Sequence, residues 1–266
     1  MLSNKLPLII EDGLNTSYID SLFVSLFYKP SFIQNVLSVY VEDLDIMYLQ
    51  EMIYYNFVDK MRRKYVIGSQ IMNEIRNYLV YCGWKNENNF IDLFEVQDLF
   101  DFLMNKCYKN VISFNCKHND KLYMNYININ VKNDNNVKNM IEKLIDDNLE
   151  SYHFFNIPYF IPLFFNRYND GNYNDSLIDI KEAIQFKYKN DTEDQHDHIW
   201  LIHSIICYSK AEKGNYYSII SDGNNWFLYS NTKLPSMIKI DICNEDIAFK
   251  IKKECVFVLY TLHKQD

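Results

Sequence analysis

The stretch "DGLNTSYIDSLFVSLFYKPSF", from Asp12 to Phe32, decides the fold because it combines a buried-helix pattern with a polar start. Its apolar side chains recur at the spacing of one helix face: Ile19, Leu22, Phe23, Leu26 and Phe27. Lys29-Pro30 ends the pattern, because proline cannot continue a helix. Ser17 stands at the helix start, where the helix dipole would favour a negatively charged nucleophile. What Ser17 does depends on whether the rest of the chain supplies a base.

The remaining sequence divides into a helical first part and a mainly β second part. Helical periodicity predicts four more segments: 43–56, 69–81, 98–106 and 137–150. Strand patterns occur at 121–131, 159–168, 198–209, 215–230 with a turn at Asp222-Gly223, and 254–262. The segment 187–198 is predicted to be a long exposed loop. A helical part packed on an antiparallel sheet, the α+β class, is therefore expected.

Composition restricts the classes of partner and compartment. The 266 residues are 48% hydrophobic, which is enough for a substantial core. A formal net charge of −8 argues against a nucleic-acid partner, because binding phosphates needs clustered Lys and Arg. The six cysteines form no C-x-x-C pair, so free thiols are predicted, with no disulfide framework, metal site or cofactor.

The same sequence predicts an intracellular, cytoplasmic protein without a membrane segment. The N-terminus lacks the features of a secretory signal, and no run approaches the ~18 apolar residues of a membrane span. Frequent Asn, Ile, Lys and Tyr with only 6 Gly is typical of an AT-rich genome, such as that of a virus or a parasite.

Four segments, in order, resemble the ubiquitin-specific protease family of papain-like cysteine deubiquitinases. "NTSYIDSLFVSLFYKPSF" is similar to the cysteine box N-T-C-[YF]-x-N-S-x-x-Q-x-L, and "VQDLFDFL" (96–103) to Q-D-[AS]-x-E-F-L. "IPYFIPLFFNRY" (157–168) is similar to the strand that ends in Lys-Arg-Phe. "GNYYSIISDGNNWFLYSN" (214–231) is similar to the histidine box, G-H-Y-x-x-[YI] followed by a turn and Trp, and "ECVFVLYTL" to the last strand.

The resemblance implies a single domain over 1–266 with the papain-like ubiquitin-specific protease fold. A helical thumb at about 1–115 would pack on an antiparallel β palm at about 116–266. The family's zinc-bearing fingers use two C-x-x-C pairs, whereas this interval holds only Cys107 and Cys116. The fingers are therefore expected to be reduced or absent.

Every catalytic position of the family differs here. Ser17 occupies the position of the nucleophilic Cys, and Asn215 that of the His base, where an amide cannot act as a base near neutral pH. Ser230, with Asn231 next to it, occupies the position that orients the histidine. Asp12 replaces the Asn that stabilises the oxyanion, and a carboxylate there would repel it.

Four simultaneous changes indicate a natural loss of catalysis, so no catalytic residue is expected. Ser17-x-x-Asp20 then has the pattern of a capping box, a purely structural role. Another histidine could replace the lost base, but His203 is better explained as a buried sheet residue. His196 and His198 are better explained as loop residues than as metal ligands.

The resemblance also implies a groove for the C-terminal tail of ubiquitin, which carries arginines. Asp98, with Gln97 beside it, is the candidate partner for those arginines, and Tyr216 is the candidate wall of the channel. Alternatively, Asp98 caps a helix that begins at Leu99.

The leading hypothesis is an inactive deubiquitinase-like protein that acts as an adaptor, a decoy or an assembly subunit. Its expected partner is a protein, with ubiquitin or a ubiquitin-like protein as the first candidate, and its oligomeric state stays open. One alternative is an active cysteine protease in which Ser17 is a Cys-to-Ser mutation. The other is a structural or regulatory protein on the same scaffold with no link to ubiquitin.

Overall fold

A computed structural model describes most of the chain. The described residues are 8–84, 95–108, 112–115, 121–131, 157–169, 172–189, 195–210 and 214–263. The chain divides into two compact units. The first contains Met1–Tyr108 and Ile206–Asp241, and the second contains Lys109–Ile205 and Ile242–Asp266.

Helices dominate the first unit, as the periodicity predicts. The α-helices of the described residues are α1 (Ser17–Phe27), α2 (Leu44–Met52), α3 (Asp59–Arg62), α4 (Ser69–Tyr81), α5 (Glu95–Cys107) and α6 (Glu245–Glu254). A 3₁₀ turn covers Phe32–Leu37, and a π-helical segment, Ile53–Val58, joins α2 to α3. Of these helices, α6 belongs to the second unit. The helix predicted at 137–150 lies outside the described residues.

In the part of the chain that the structure describes, the strands all follow α5 in sequence. They are β1 (Ile112–Asn115), β2 (Lys121–Met124), β3 (Ile127–Asn130), β4 (Phe160–Asn166), β5 (Tyr168–Asn169), β6 (Asn172–Tyr173), β7 (Ala183–Lys189), β8 (Gln195–Ser209), β9 (Asn215–Ser221), β10 (Trp226–Tyr229), β11 (Met237–Ile240) and β12 (Cys255–Leu262). Each predicted strand segment is confirmed, and the mixture of helix and sheet agrees with the predicted α+β class.

Helix α1 forms the core of the first unit. All eleven of its residues are buried, so the helix is enclosed on every side and not only along its apolar stripe. It packs against β9, where the Ser218 hydroxyl donates to the Ser21 carbonyl at 2.8 Å. Burying a large apolar side chain contributes roughly 1.5–3 kcal/mol. The buried rings of Phe23 and Phe27 therefore make α1 the element around which this unit is organised.

The sheet of the first unit supports α1. Strand β10 pairs antiparallel with both neighbours, so that Trp226 lies opposite Ser221 of β9 and Ile240 of β11. Gly223 adopts φ +99° in the β9–β10 turn, a conformation that favours glycine. The predicted Asp222-Gly223 turn is confirmed.

The second unit is built on strands β4 and β12, which pair antiparallel with Leu163 opposite Val258. Strand β3 pairs parallel to β4 on its other side. Arg167, which follows β4, is completely buried and donates to four backbone carbonyls. These contacts fix the ends of several segments around one side chain.

The structure contradicts the exposed loop predicted at 187–198. Lys187 pairs with Asp197 and Tyr188 pairs with His196, so both flanks of this segment continue β7 and β8 as a hairpin. The polar sequence of these flanks suggests a loop, but backbone hydrogen bonds between the two strands hold them in a sheet. Helix α6 was not predicted, although Asn244 caps it by accepting from the backbone N–H groups of Asp246 and Ile247.

Three further observations concern the predictions for the cysteines, for His203 and for a membrane segment. Cys82, Cys107 and Cys255 have no disulfide partner among the described residues. His203 is buried in β8, the sheet position expected for it. Among the residues that the structure describes, no helix is long and apolar enough to cross a membrane.

Candidate functional site

The site lies where the loop 12–16 enters α1, and it belongs to the first unit. Gly13 donates its backbone N–H to Thr16 Oγ1 at 3.0 Å, and Leu14 donates to Asn73 Oδ1 at 2.8 Å. A Cβ on Gly13 would lie 2.8 Å from Thr16 Cγ2, so this close approach requires glycine. Asn15 adopts φ +52°, which turns the chain into the helix. The sequence thus fixes one path into α1.

Ser17 is the first residue of α1, and the capping box predicted for it is wrong. Thr16 precedes the helix, and its hydroxyl accepts from Gly13 rather than from the helix N–H groups. Ser17 is 2% exposed, and its Oγ has no hydrogen-bond partner among the described residues. The Asp20 side chain is directed to another segment of the chain. Ser17 therefore begins α1 with a buried hydroxyl that makes no hydrogen bond to the described residues.

Asp20 belongs to a buried cluster that joins three segments of the chain. Asn231 Nδ2 donates to Asp20 Oδ2 at 2.9 Å and to Asp12 Oδ1 at 2.9 Å. Asp20 is completely buried and Asn231 is nearly so, whereas Asp12 lies in the exposed loop before the helix. One amide group thus connects two carboxyls at the start of α1.

The electrostatics of this cluster favour a neutral Asp20. Burial, followed by the negative charge of Asp12, raises the pKa of Asp20 to about 8, against the opposing effect of the hydrogen bond from Asn231. Burial also raises the pKa of Asp12. The Tyr229 hydroxyl lies beside Asp20 without reaching hydrogen-bonding geometry, and burial beside this carboxyl raises the pKa of Tyr229. The site therefore holds a proton on Asp20 at neutral pH.

Polar side chains occupy the remaining positions of the predicted triad. Asn215 begins β9, and its Nδ2 has no hydrogen-bond partner in the described part of the chain. Ser230 is buried, and its hydroxyl lies 2.9 Å from Thr232 Oγ1. The Ser230 backbone N–H donates to the Ser236 carbonyl at 2.8 Å. Of these positions, the structure joins Asp12 and Asn231 directly.

The predicted binding residues lie in the same unit. Gln97 and Asp98 are in the first turn of α5, which begins at Glu95, so the alternative in which Asp98 caps the helix is wrong. Asp98 is exposed. Tyr216 is completely buried, with its ring 5.1 Å from that of Tyr208. The ring of Tyr216 thus packs in the core of the first unit, and its role as a channel wall stays a prediction.

Sequence reasoning missed the importance of Asp20 and Tyr229. A signal for Asp20 was available, because the cysteine box has Asn at this position and the chain has a carboxyl group. No local pattern indicates that Tyr229 reaches the same buried cluster, because its proximity depends on the pairing of β10 with β9.

Comparisons with known proteins identify the scaffold. No protein-family model matches the chain, and no curated protein matches it in sequence. A structure of the SAGA Ubp8/Sgf11/Sus1/Sgf73 DUB module is similar with a TM-score of 0.62 and 13% identity, over 100% of this chain and 70% of that chain. A second structure of this module gives 0.60 and 14%, over 99% and 69%. The yeast SAGA DUBm gives 0.60 and 14%, over 100% and 71%.

These similarities concern the fold, because the sequences are only 13–14% identical. The chain has a ubiquitin-specific-protease-like scaffold, in agreement with the family resemblance of its sequence.

Proposed function

We propose that this chain is a catalytically inactive deubiquitinase-like protein that acts by binding other proteins, as an adaptor, a decoy or an assembly subunit. The observation that carries the proposal is the carboxyl–amide–carboxyl cluster of Asp12, Asn231 and Asp20 at the start of α1. In an active cysteine protease this place needs a thiolate, a base and donors for an oxyanion.

The first argument for inactivity concerns the base. All six histidines of the sequence lie outside the two segments that form the first unit. Asn215, at the predicted base position, carries an amide that does not accept a proton near neutral pH. Ser17 Oγ has no hydrogen-bond partner among the described residues, so no side chain there is placed to remove its proton.

The second argument concerns charge. An oxyanion needs hydrogen-bond donors directed at it, whereas Asp12 presents a carboxyl group at the expected position. The Asn231 amide N–H groups are already donated to Asp12 and Asp20. An oxyanion at this position would therefore meet the Asp12 carboxyl group, while the N–H groups of Asn231 are already in use.

A cleavage assay tests inactivity. Wild type, Ser17→Cys and the triple variant Asp12→Asn/Ser17→Cys/Asn215→His are incubated with ubiquitin that carries a fluorogenic C-terminal amide. We expect no turnover from wild type or Ser17→Cys. Turnover by Ser17→Cys alone would refute the proposal and support the alternative in which Ser17 replaces a native cysteine. The triple variant shows whether the scaffold accepts the substrate once the catalytic groups are present.

The proposed partner is ubiquitin or a ubiquitin-like protein, because the similar structures are DUB modules. Titration of the chain with ubiquitin, followed by calorimetry, is expected to give saturable binding that Asp98→Arg weakens. Glu182→Arg makes the same charge change at an exposed position of the second unit and is the matched control. Absence of binding to ubiquitin and its relatives would favour the structural or regulatory alternative. The viral source and cytoplasmic location stay predictions from composition.

A further inference from the structure

A second surface of the first unit has the features of a binding site. Helices α2 and α4 border an open groove of ≈ 490 Å³, lined by Tyr48, Met52, Glu74, Asn77, Tyr78 and Tyr81. Tyr48 is 54% exposed and Tyr81 is 67% exposed, so their rings face solvent rather than the core. The volume of the groove is in the range of pockets that hold small ligands, which is large enough for one side chain of a partner.

The three tyrosines form a continuous aromatic wall. The rings of Tyr48 and Tyr78 are 5.0 Å apart in an edge-to-face arrangement, and those of Tyr78 and Tyr81 are 5.3 Å apart. The Tyr78 hydroxyl donates to Asp45 Oδ1 at 3.4 Å, which helps to fix the middle ring. A wall of mutually packed rings is pre-organised, so a ligand that stacks on it loses little additional entropy.

Carboxylates surround this wall. The segment 41–58 contains Glu42, Asp43, Asp45 and Glu51 but no Lys or Arg. In α4, Glu74 lines the groove, and its Oε1 accepts from Gln70 Nε2 at 2.9 Å. Arg76 is the only basic residue of α4, and the helical period places it about 140–160° around the helix from Glu74, Tyr78 and Tyr81. The groove therefore combines exposed aromatic faces with the carboxylates of Asp45 and Glu74.

We infer that the groove between α2 and α4 binds an arginine side chain from a basic segment of a partner protein. A guanidinium is flat, so it can stack on the ring of Tyr48 or Tyr81 while its N–H groups reach the Glu74 carboxylate and the Asn77 amide oxygen. A lysine ammonium has the charge but neither the flat shape nor the fork of donors. Aromatic wall and carboxylates together thus favour arginine.

This site lies apart from the start of α1. The inference rests on the proposed function in one respect, namely that the chain acts by binding other proteins. The inference does not require that the chain has lost catalysis or that it binds ubiquitin. Its test must therefore use a ligand that is unrelated to ubiquitin.

The experiment titrates the ¹⁵N-labelled full chain with a blocked peptide of alternating glycine and arginine. Matched peptides replace arginine with lysine or with citrulline, the neutral isostere of arginine. We expect saturable amide shifts in α2 and α4 and at least about tenfold weaker binding of the citrulline peptide. Glu74→Gln and Tyr81→Ala should each weaken the arginine peptide by about 3–10-fold.

Tyr65→Ala is the matched control, because Tyr65 is 56% exposed and does not line the groove. It should leave the affinity unchanged, and thermal unfolding checks that each variant stays folded. Equal affinity for the citrulline or lysine peptide would overturn the inference. Shifts that map elsewhere, or no saturation at millimolar peptide, would also overturn it. None of these results affects the ubiquitin titration or the cleavage assay.

Discussion

Two completely buried ionisable side chains, Asp20 in the first unit and Arg167 in the second, are accommodated in opposite ways. Arg167 donates from Nε and both terminal nitrogens to the carbonyls of Cys255, Asn174, Ser176 and Lys252, at 2.7–3.0 Å. Asp20 accepts one hydrogen bond from Asn231, and its Oδ1 has no hydrogen-bond partner among the described residues.

The difference is that Arg167 has a purely structural role, whereas Asp20 belongs to the candidate site and can change its protonation state. Backbone carbonyls are fixed by the chain and cannot change protonation, so Arg167 stabilises the second unit in the same way at any ordinary pH. Asp20 shares its donor with Asp12, and its pKa is raised to about 8. The stability of the first unit therefore depends on the protonation state of Asp20.

The largest expected effect is at Arg167. Arg167→Met fills a similar volume but leaves four backbone carbonyls without their shared donor. We expect a loss of about 3–5 kcal/mol in the free energy of unfolding, the range for breaking a buried charged network. Urea denaturation measures it. Arg167→Lys keeps the charge with fewer donors and should fall between the two. If Arg167→Met were as stable as wild type, the structural role would be wrong.

The second effect is a pH dependence at Asp20. The folded pKa of about 8 is above the ordinary aspartate pKa of 3.8, so folded chains keep a proton that unfolded chains release between these values. Stability from this group is fully present below about pH 4 and is lost as pH rises through 8. The limiting slope is about 1.4 kcal/mol per pH unit. Wild type should lose about 3 kcal/mol relative to Asp20→Asn between pH 5 and pH 8.

Chemical denaturation across that range measures the difference between the two proteins. Arg167→Lys is a useful reference, because its loss should not change with pH over the same interval. A parallel pH dependence for wild type and Asp20→Asn would show that Asp20 does not hold a proton in the folded chain. The contrast between the two buried charges would then disappear.

Sequence patterns predicted the elements on both sides of this contrast but not the contacts within them. The periodicity of Ile19, Leu22 and Phe23 located α1, because helix and core face are encoded locally. The four altered positions of the site were also visible in sequence. The bond from Asn231 to Asp20 joins residues 211 positions apart, and no local pattern encodes it.

The second unit shows the same limit. The end of β4 was predicted, yet the role of Arg167 depends on carbonyls from 174–176 and 252–255, which only the folded chain brings together. The hairpin of β7 and β8 was mistaken for a loop because its flanks, such as Lys187 and Asp197, are polar. A polar strand lacks the alternation of apolar and polar residues by which strands are predicted, so its backbone pairing cannot be read from the sequence.

A third, smaller effect concerns Ser218, which ties β9 to α1. Its hydroxyl donates to the Ser21 carbonyl at 2.8 Å within the core. Ser218→Ala removes one neutral hydrogen bond, while the carbonyl can keep a partner within the helix. We expect a loss of about 1 kcal/mol that is independent of pH, measured by urea denaturation at pH 5 and pH 8. A loss that grows with pH would mean that Ser218 is coupled to Asp20.

The smallest effect is expected at Ser17, and it bears most directly on why this serine is present. A hydroxyl that caps the helix or prepares a nucleophile has partners, and removing it usually costs about 0.5–2 kcal/mol. Ser17 Oγ is buried without a hydrogen-bond partner among the described residues, so Ser17→Ala removes an unsatisfied polar atom. We expect a change within about 0.5 kcal/mol, or a small gain, by urea denaturation. A loss above about 1 kcal/mol would show that Ser17 supports the fold. A neutral result fits the proposal that this chain is inactive. In that proposal, Ser17 stands where the protease family has its nucleophile, but it takes part in no catalysis.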